Sequence, residues 1–157
     1  MKSLSLTILV ILLTSTLCAG AYGLELAVIV NKENPIDDLS SEELVRIFKQ
    51  EKQYWDQRKK IYFLMQETGS VEKEIVLRKI YKMDPEALKK FWLAKMFRGE
   101  ISSFPKTLSS NGAMKRFISR SPMSIGYIDA AETDDSVKAL SIDGKRPGEP
   151  GYSLTDR

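Results

Sequence analysis

The stretch from Ile61 to Ile80 constrains the chain most. A short apolar run, Ile61-Tyr62-Phe63-Leu64-Met65, is followed by a polar turn, Gln66-Glu67-Thr68-Gly69-Ser70, and then by a helical pattern opening at about Val71. A strand that turns at Gly-Ser into a helix has ligand-binding physics built in. The first N–H groups of a helix have no partner inside it. The helix dipole adds about half a positive charge at that end, so an anion is favoured there. The alternative reading needs no ligand: Ser70 or Thr68 simply caps the helix.

On either side of this stretch, strand and helix signals alternate. Leu26 to Val30 is an unbroken apolar run, as expected of a strand covered on both faces. Pro35 then enforces a loop. Ser40 and Glu43 form a capping box for a helix whose Leu44, Ile47 and Phe48 share one face, with Leu39 placed to staple onto Leu44. Gln50 to Lys60 is polar apart from Tyr54-Trp55, and its Arg58-Lys59-Lys60 run reads as a solvated loop. The helix from Val71 to Lys82 offers Val71, Ile75 and Ile80 to the core. Asp84-Pro85-Glu86 opens the next helix as cap, first position and acidic first turn. Leu88, Phe91, Trp92, Met96 and Phe97 supply its apolar side, and Gly99 stops it. Ser109, Ser110 and Asn111 offer three caps for a helix to about Ser119, with Met114, Phe117 and Ile118 inward. Ser124 to Asp129 reads as a strand in which Gly126 marks a close approach. Val137 to Ile142 is the last strand. Beyond Gly144, Pro147, Gly148, Pro150 and Gly151 mark an irregular tail. Such alternation implies an α/β sheet covered by helices. Ligands of open α/β sheets sit at the carboxyl ends of strands, here the turn after Met65 and the loop after Val30.

The amino terminus has a different character. Lys2 is followed by the apolar run Leu4 to Leu17 and by Ala19-Gly20-Ala21, the layout of a secretory signal peptide over residues 1–21, with cleavage after Ala21 or Gly23. The run is short for a membrane span. Leu17 stands before Cys18 where a lipoprotein signal wants a small residue. The 157 residues contain one Cys and no His. Cleavage removes Cys18, so the exported protein would lack both residue types. That excludes Cys nucleophiles, Ser–His pairs, disulfides and the usual zinc sites. No enzyme, cofactor or metal site is expected. With Lys2 gone, the 24 basic residues fall by one against 21 acidic ones, a net of +2. A surface so nearly balanced argues against nucleic acid as partner.

Taken together, the segments resemble the substrate-binding proteins of phosphate ABC transporters, the type 2 periplasmic binding-protein fold. The resemblance runs through Leu26-Ala27-Val28-Ile29-Val30-Asn31 with Asn34-Pro35, Leu39-Ser40-Ser41-Glu42-Glu43-Leu44, Ile47-Phe48 and Tyr54-Trp55-Asp56. It continues at Gly69-Ser70, Ser124-Ile125-Gly126-Tyr127-Ile128-Asp129 and Val137-Lys138-Ala139-Leu140. It implies a single-lobe periplasmic-binding-protein-like domain over residues 24–144, with a central sheet of about four or five strands flanked by helices. Residues 145–157 would follow as the tail. Full-size members of that family close two lobes on phosphate, and residues 24–157 amount to about one lobe.

The family's phosphate turn reads Arg-x-x-Gly-Ser-Gly-Thr. Here Gly69 and Ser70 match, Gln66 replaces the Arg that pairs bidentately with phosphate, Val71 the second Gly and Glu72 the Thr. Glu67, Glu72 and Glu74 surround a turn with no fixed cation. At ~5 Å and an effective dielectric near 20, each carboxylate repels a unit anion by on the order of 3 kcal/mol before screening. The resemblance therefore implies a non-catalytic, solute-binding-like protein, periplasmic or secreted, that takes phosphate or another small oxyanion. Its contacts would be Thr68, Gly69, Ser70 and Val71, with Asn31 as a further candidate. An ABC transporter is the implied partner. The alternative is an envelope protein-interaction module that kept the fold and lost the ligand, with Tyr54 to Lys60 as its surface. After signal cleavage neither is an integral membrane protein.

Overall fold

The computed structural model describes residues 23–156. The expected signal peptide, with Cys18, lies outside the described residues. In chain order the elements are β1 (Leu26–Val30), β2 (Asp38–Leu39), α1 (Ser41–Phe48), β3 (Tyr62–Gln66), α2 (Val71–Val76), α3 (Pro85–Phe97), β4 (Lys106–Leu108), α4 (Asn111–Ser119), β5 (Ser124–Asp129), β6 (Lys138–Ala139) and β7 (Ser141–Ile142). A π-helical turn, Leu77–Tyr81, extends α2, and a 3₁₀ turn, Ala130–Glu132, follows β5.

The central sheet has five strands in the order β4-β3-β5-β1-β6. Alternation along each strand sorts the side chains to two faces. Leu26, Val28 and Val30 of β1, Phe63 and Met65 of β3, and Ile125 and Tyr127 of β5 pack against α1, α2, the π turn and α3. Ala27, Ile29, Leu64 and Ile128 pack against Met114 and Ile118 of α4. The result is an α/β sheet covered on both faces, as the apolar runs of β1 and β5 require. Phe48 stacks at 4.5 Å from Phe63 and 5.8 Å from Tyr127, centroid to centroid, tying α1 to the sheet. The segment after Gly144 is irregular but contributes Tyr152 and Leu154 to the same core. The Tyr152 hydroxyl donates to the Leu26 carbonyl at 2.7 Å.

The helix starts follow the capping chemistry. Ser40, Ser70, Asp84 and Ser110 each accept the backbone N–H three residues on. Gly99 turns the chain at φ +68° after α3. Gly126 lies where an added Cβ would stand 2.5 Å from the Met114 sulfur, which explains glycine in a buried strand.

Strand direction departs from the expectation. β3, β4 and β5 are parallel, whereas β1 runs antiparallel to β5, with Val30 opposite Ile125 and Leu26 opposite Asp129. The carboxyl end of β1 therefore lies at the sheet edge where β3 begins, and the loop after Val30 and the turn after Met65 occupy opposite edges. The expected strand Val137 to Ile142 breaks in two: β6 pairs with β1 in the main sheet, and β7 pairs with β2 in a separate two-stranded sheet. The short β2 and β4 carry no periodic signal. Val71 is 53% exposed and Phe97 88% exposed, so neither joins the core as their spacing implied.

Candidate functional site

The turn after β3 is built by its neighbours. The Gln66 N–H donates to the Tyr127 hydroxyl at 3.0 Å, and the Glu67 N–H donates to the Leu108 carbonyl at 3.1 Å, so β3 stays paired until the chain turns. Gly69 then takes φ +95°, a conformation that favours glycine. Ser70 is extended and caps α2, its Oγ accepting the Lys73 N–H at 3.1 Å. That leaves the N–H groups of Val71 and Glu72 without an i−4 carbonyl to bond.

Beside this turn lies a cation that sequence reasoning missed. Lys73 is 7% exposed, and its Nζ donates to the Thr68 hydroxyl at 3.0 Å. Among the described residues Lys73 enters no ion pair. Burial lowers its pKa from the ordinary lysine value, while the carboxylates of Glu74 and Glu67 act the other way. The turn thus has a fixed cation beside it, contrary to the expectation from sequence. The signal was present: Lys73, Val76, Leu77 and Ile80 fall at helical spacing, and a lysine on such a stripe is carried inward. Lys73 and Thr68 line a groove of ≈ 460 Å³ together with Met65, Leu88, Trp92, Phe104 and Pro105.

Beneath the turn a polar network ties three elements together. Gln66, at the position of the family Arg, is buried, and its amide donates to the Asn111 Oδ1 at 2.5 Å and to the Tyr127 carbonyl at 3.4 Å. The Asn111 amide in turn donates to Glu72 at 2.7 Å and to Glu132 at 2.8 Å. The Glu72 carboxylate is therefore already engaged by a donor rather than standing free in front of the turn. Burial holds the Tyr127 hydroxyl well above the ordinary tyrosine pKa, so it stays protonated, and the Gln66 N–H it accepts only partly offsets this.

The structure gathers Thr68, Gly69, Ser70 and Val71 in one turn and leaves Asn31 apart. The Asn31 side chain lies at the opposite sheet edge. Its amide donates to the Ile118 and Ser119 carbonyls at 2.9 Å each, and its Oδ1 accepts the Glu33 N–H. It closes the end of α4. In the Tyr54 to Lys60 loop, Trp55 is partly buried and its indole N–H donates to the Met123 carbonyl at 3.1 Å, while Tyr54 stays exposed.

No family model matches the sequence. The chain is 28% identical over 123 residues to the phosphate-binding protein PstS of Bacillus subtilis strain 168, a match covering 78% of this chain and 37% of that protein. An ABC-type phosphate transport receptor from Vibrio cholerae superimposes with a TM-score of 0.62 at 22% identity, over 79% of this chain and 49% of that one. PstS from Borrelia burgdorferi gives 0.62 at 21% identity, over 83% and 54%. The chain thus spans about half the length of these solved structures and less of the curated relative. Over the part of their length that it spans, in fold and in sequence, the chain is phosphate ABC transporter substrate-binding protein-like.

Proposed function

We propose that this chain is an exported, non-catalytic solute-binding module that takes phosphate or another small oxyanion at the Thr68 to Val71 turn. The observation that carries the reading is the Lys73 ammonium held on the Thr68 hydroxyl beside the Gly69-Ser70 helix start. The ammonium's hydrogen-bond partner among the described residues is neutral, and the Glu74 and Glu67 carboxylates act on it only through space; an anion bonded at the turn completes the compensation. Thr68 and Ser70 hydroxyls and the Val71 N–H supply neutral donors. Lys73 supplies the charge that Gln66 does not, and the Glu72 carboxylate is already hydrogen-bonded by the Asn111 amide. The signal-peptide layout of residues 1–21 supports export to the periplasm or beyond, and the related phosphate receptors support an ABC transporter as partner. The test is phosphate titration of purified protein. Lys73→Met is expected to weaken binding at least tenfold and Ser70→Ala severalfold; unchanged affinity in both variants removes this turn from the reading.

A second reading, an envelope interaction module without a small ligand, is favoured by Phe97, which stands 88% exposed at the end of α3. Capture of one protein from envelope extract that is lost on Phe97→Ser supports it. A phosphate titration that saturates argues for the first reading instead.

A further inference from the structure

The groove beside Lys73 is larger and more apolar than a bare oxyanion needs. Its apolar lining is Met65 from β3, Leu88 and Trp92 from α3, and the Phe104-Pro105 segment, and the hydrogen-bonded pair Lys73 and Thr68 lines it too. Inorganic phosphate on Lys73 leaves those walls in water. An anion that carries an apolar body covers both. The volume, ≈ 460 Å³, falls within the range of small-molecule sites, which are mostly apolar with a few placed polar groups. Two further observations agree. Trp92 is 5% exposed, and its buried indole N–H has no hydrogen-bond partner among the described residues. Phe104, which lines the groove, is 47% exposed. Among the residues lining the groove the carboxylate is Glu86, which is paired with Lys90, and the ammonium groups are Lys73 and Lys89; of these two, Lys73 is the buried one.

We propose that this groove binds a small organic anion with an aromatic body, its head on Lys73 and Thr68 and its ring against Trp92, Leu88 and Phe104. The proposal shares Lys73 and Thr68 with the oxyanion reading but rests on the apolar walls. Charge complementarity selects an anion, and the wall composition selects the body.

Phenyl phosphate is the probe and inorganic phosphate its control, both titrated into ¹⁵N-labelled protein. The two tryptophan indole N–H resonances report separately, because that of Trp55 is bonded to the Met123 carbonyl on another part of the molecule. Phenyl phosphate is expected to bind at least tenfold more tightly than inorganic phosphate and to move the Trp92 resonance while leaving Trp55 in place. Lys73→Met should weaken phenyl phosphate at least tenfold. Phe104→Ser, a change at a partly exposed loop position that spares the fold, should weaken phenyl phosphate severalfold and leave inorganic phosphate unchanged. Equal affinities for the two probes overturn the proposal and leave the oxyanion reading standing. Binding of phenyl phosphate with none of inorganic phosphate does the reverse. Binding that survives both substitutions, no binding of either probe, or a Trp92 resonance that follows protein concentration instead, as a second copy in the groove would produce, also overturns it.

Discussion

At the scale of single residues, the molecule turns on what is buried and with which partner. Lys73 is a buried ammonium whose hydrogen-bond partner is a hydroxyl, not a carboxylate. Replacing a buried charge by an apolar side chain of similar size is often neutral or stabilising. Lys73→Met is therefore expected to leave the urea-unfolding free energy within ~1 kcal/mol of the parent or above it, while weakening anion binding at least tenfold. A loss of several kcal/mol would make Lys73 a structural residue. Gly126 makes the opposite prediction. Its missing Cβ leaves room for the Met114 sulfur and the Ile118 Cδ1, so Gly126→Ala overpacks the contact between β5 and α4. A destabilisation of ~1–3 kcal/mol by urea titration is expected, and no loss would contradict the packing described. Gly126 was legible in the sequence as a glycine inside an apolar strand. Lys73 was not read, because charged residues are ordinarily assigned to solvent and only its helical spacing to Val76, Leu77 and Ile80 speaks otherwise. Gln66 marks a further limit. Its replacement of an Arg is visible in the sequence, but its engagement with Asn111, 45 residues away, depends on tertiary contact.

Among the elements, local chemistry set the helices and long-range pairing set the strands. The caps at Ser40, Ser70, Asp84 and Ser110 were readable because each needs only a side-chain oxygen and an N–H three residues on. Asp84→Ala should accordingly lower stability by about 1 kcal/mol, measured by thermal or urea unfolding, and Asp84→Asn should recover most of it. Apolar runs located β1, β3 and β5 equally well, but an apolar run says nothing of strand direction. The antiparallel placement of β1 is what carries Asn31 to the opposite edge from the turn. Val137 to Ile142 reads as one strand because its residues suit a sheet, yet β6 and β7 pair in different sheets. Short β2 and β4 are stabilised by neighbours and not by their own composition. Periodicity also gives the face of a helix without the point where its packing ends, which is why Val71 and Phe97, correctly spaced, remain outside the core.

For the molecule as a whole, the charges fix how stability responds to pH. Arg98 and Lys95 hold Glu100 down at about 2, and Lys138, Lys52 and Ser41 lower Asp37, Glu43 and Asp143 by hydrogen bonding. The unfolded chain protonates such carboxylates at ordinary values, so between about pH 4.5 and 2 it binds more protons than the native state. Stability should be fully present above that window and fall as pH drops through it. Burial raises the hydroxyls of Tyr127 and Tyr152, so the native state keeps protons that the unfolded chain releases near pH 10, and stability should fall again as pH rises beyond 10. Thermal unfolding midpoints across pH 2–11 test both limbs; a flat profile at either end contradicts the pairing or burial assigned there. The α/β sheet with helices on both faces was legible from the order of elements, and the likeness to phosphate receptors rests on that order. The oxyanion reading is the central claim, and thermal unfolding with phosphate, sulfate and chloride at matched ionic strength tests it most directly. Phosphate at about a hundred times its dissociation constant stabilises a native state by ~2.7 kcal/mol, a rise of several degrees for a domain of this size. A shift specific to phosphate, reduced to about half or less in Lys73→Met, is the result predicted; no shift, or equal shifts with all three anions, would contradict it.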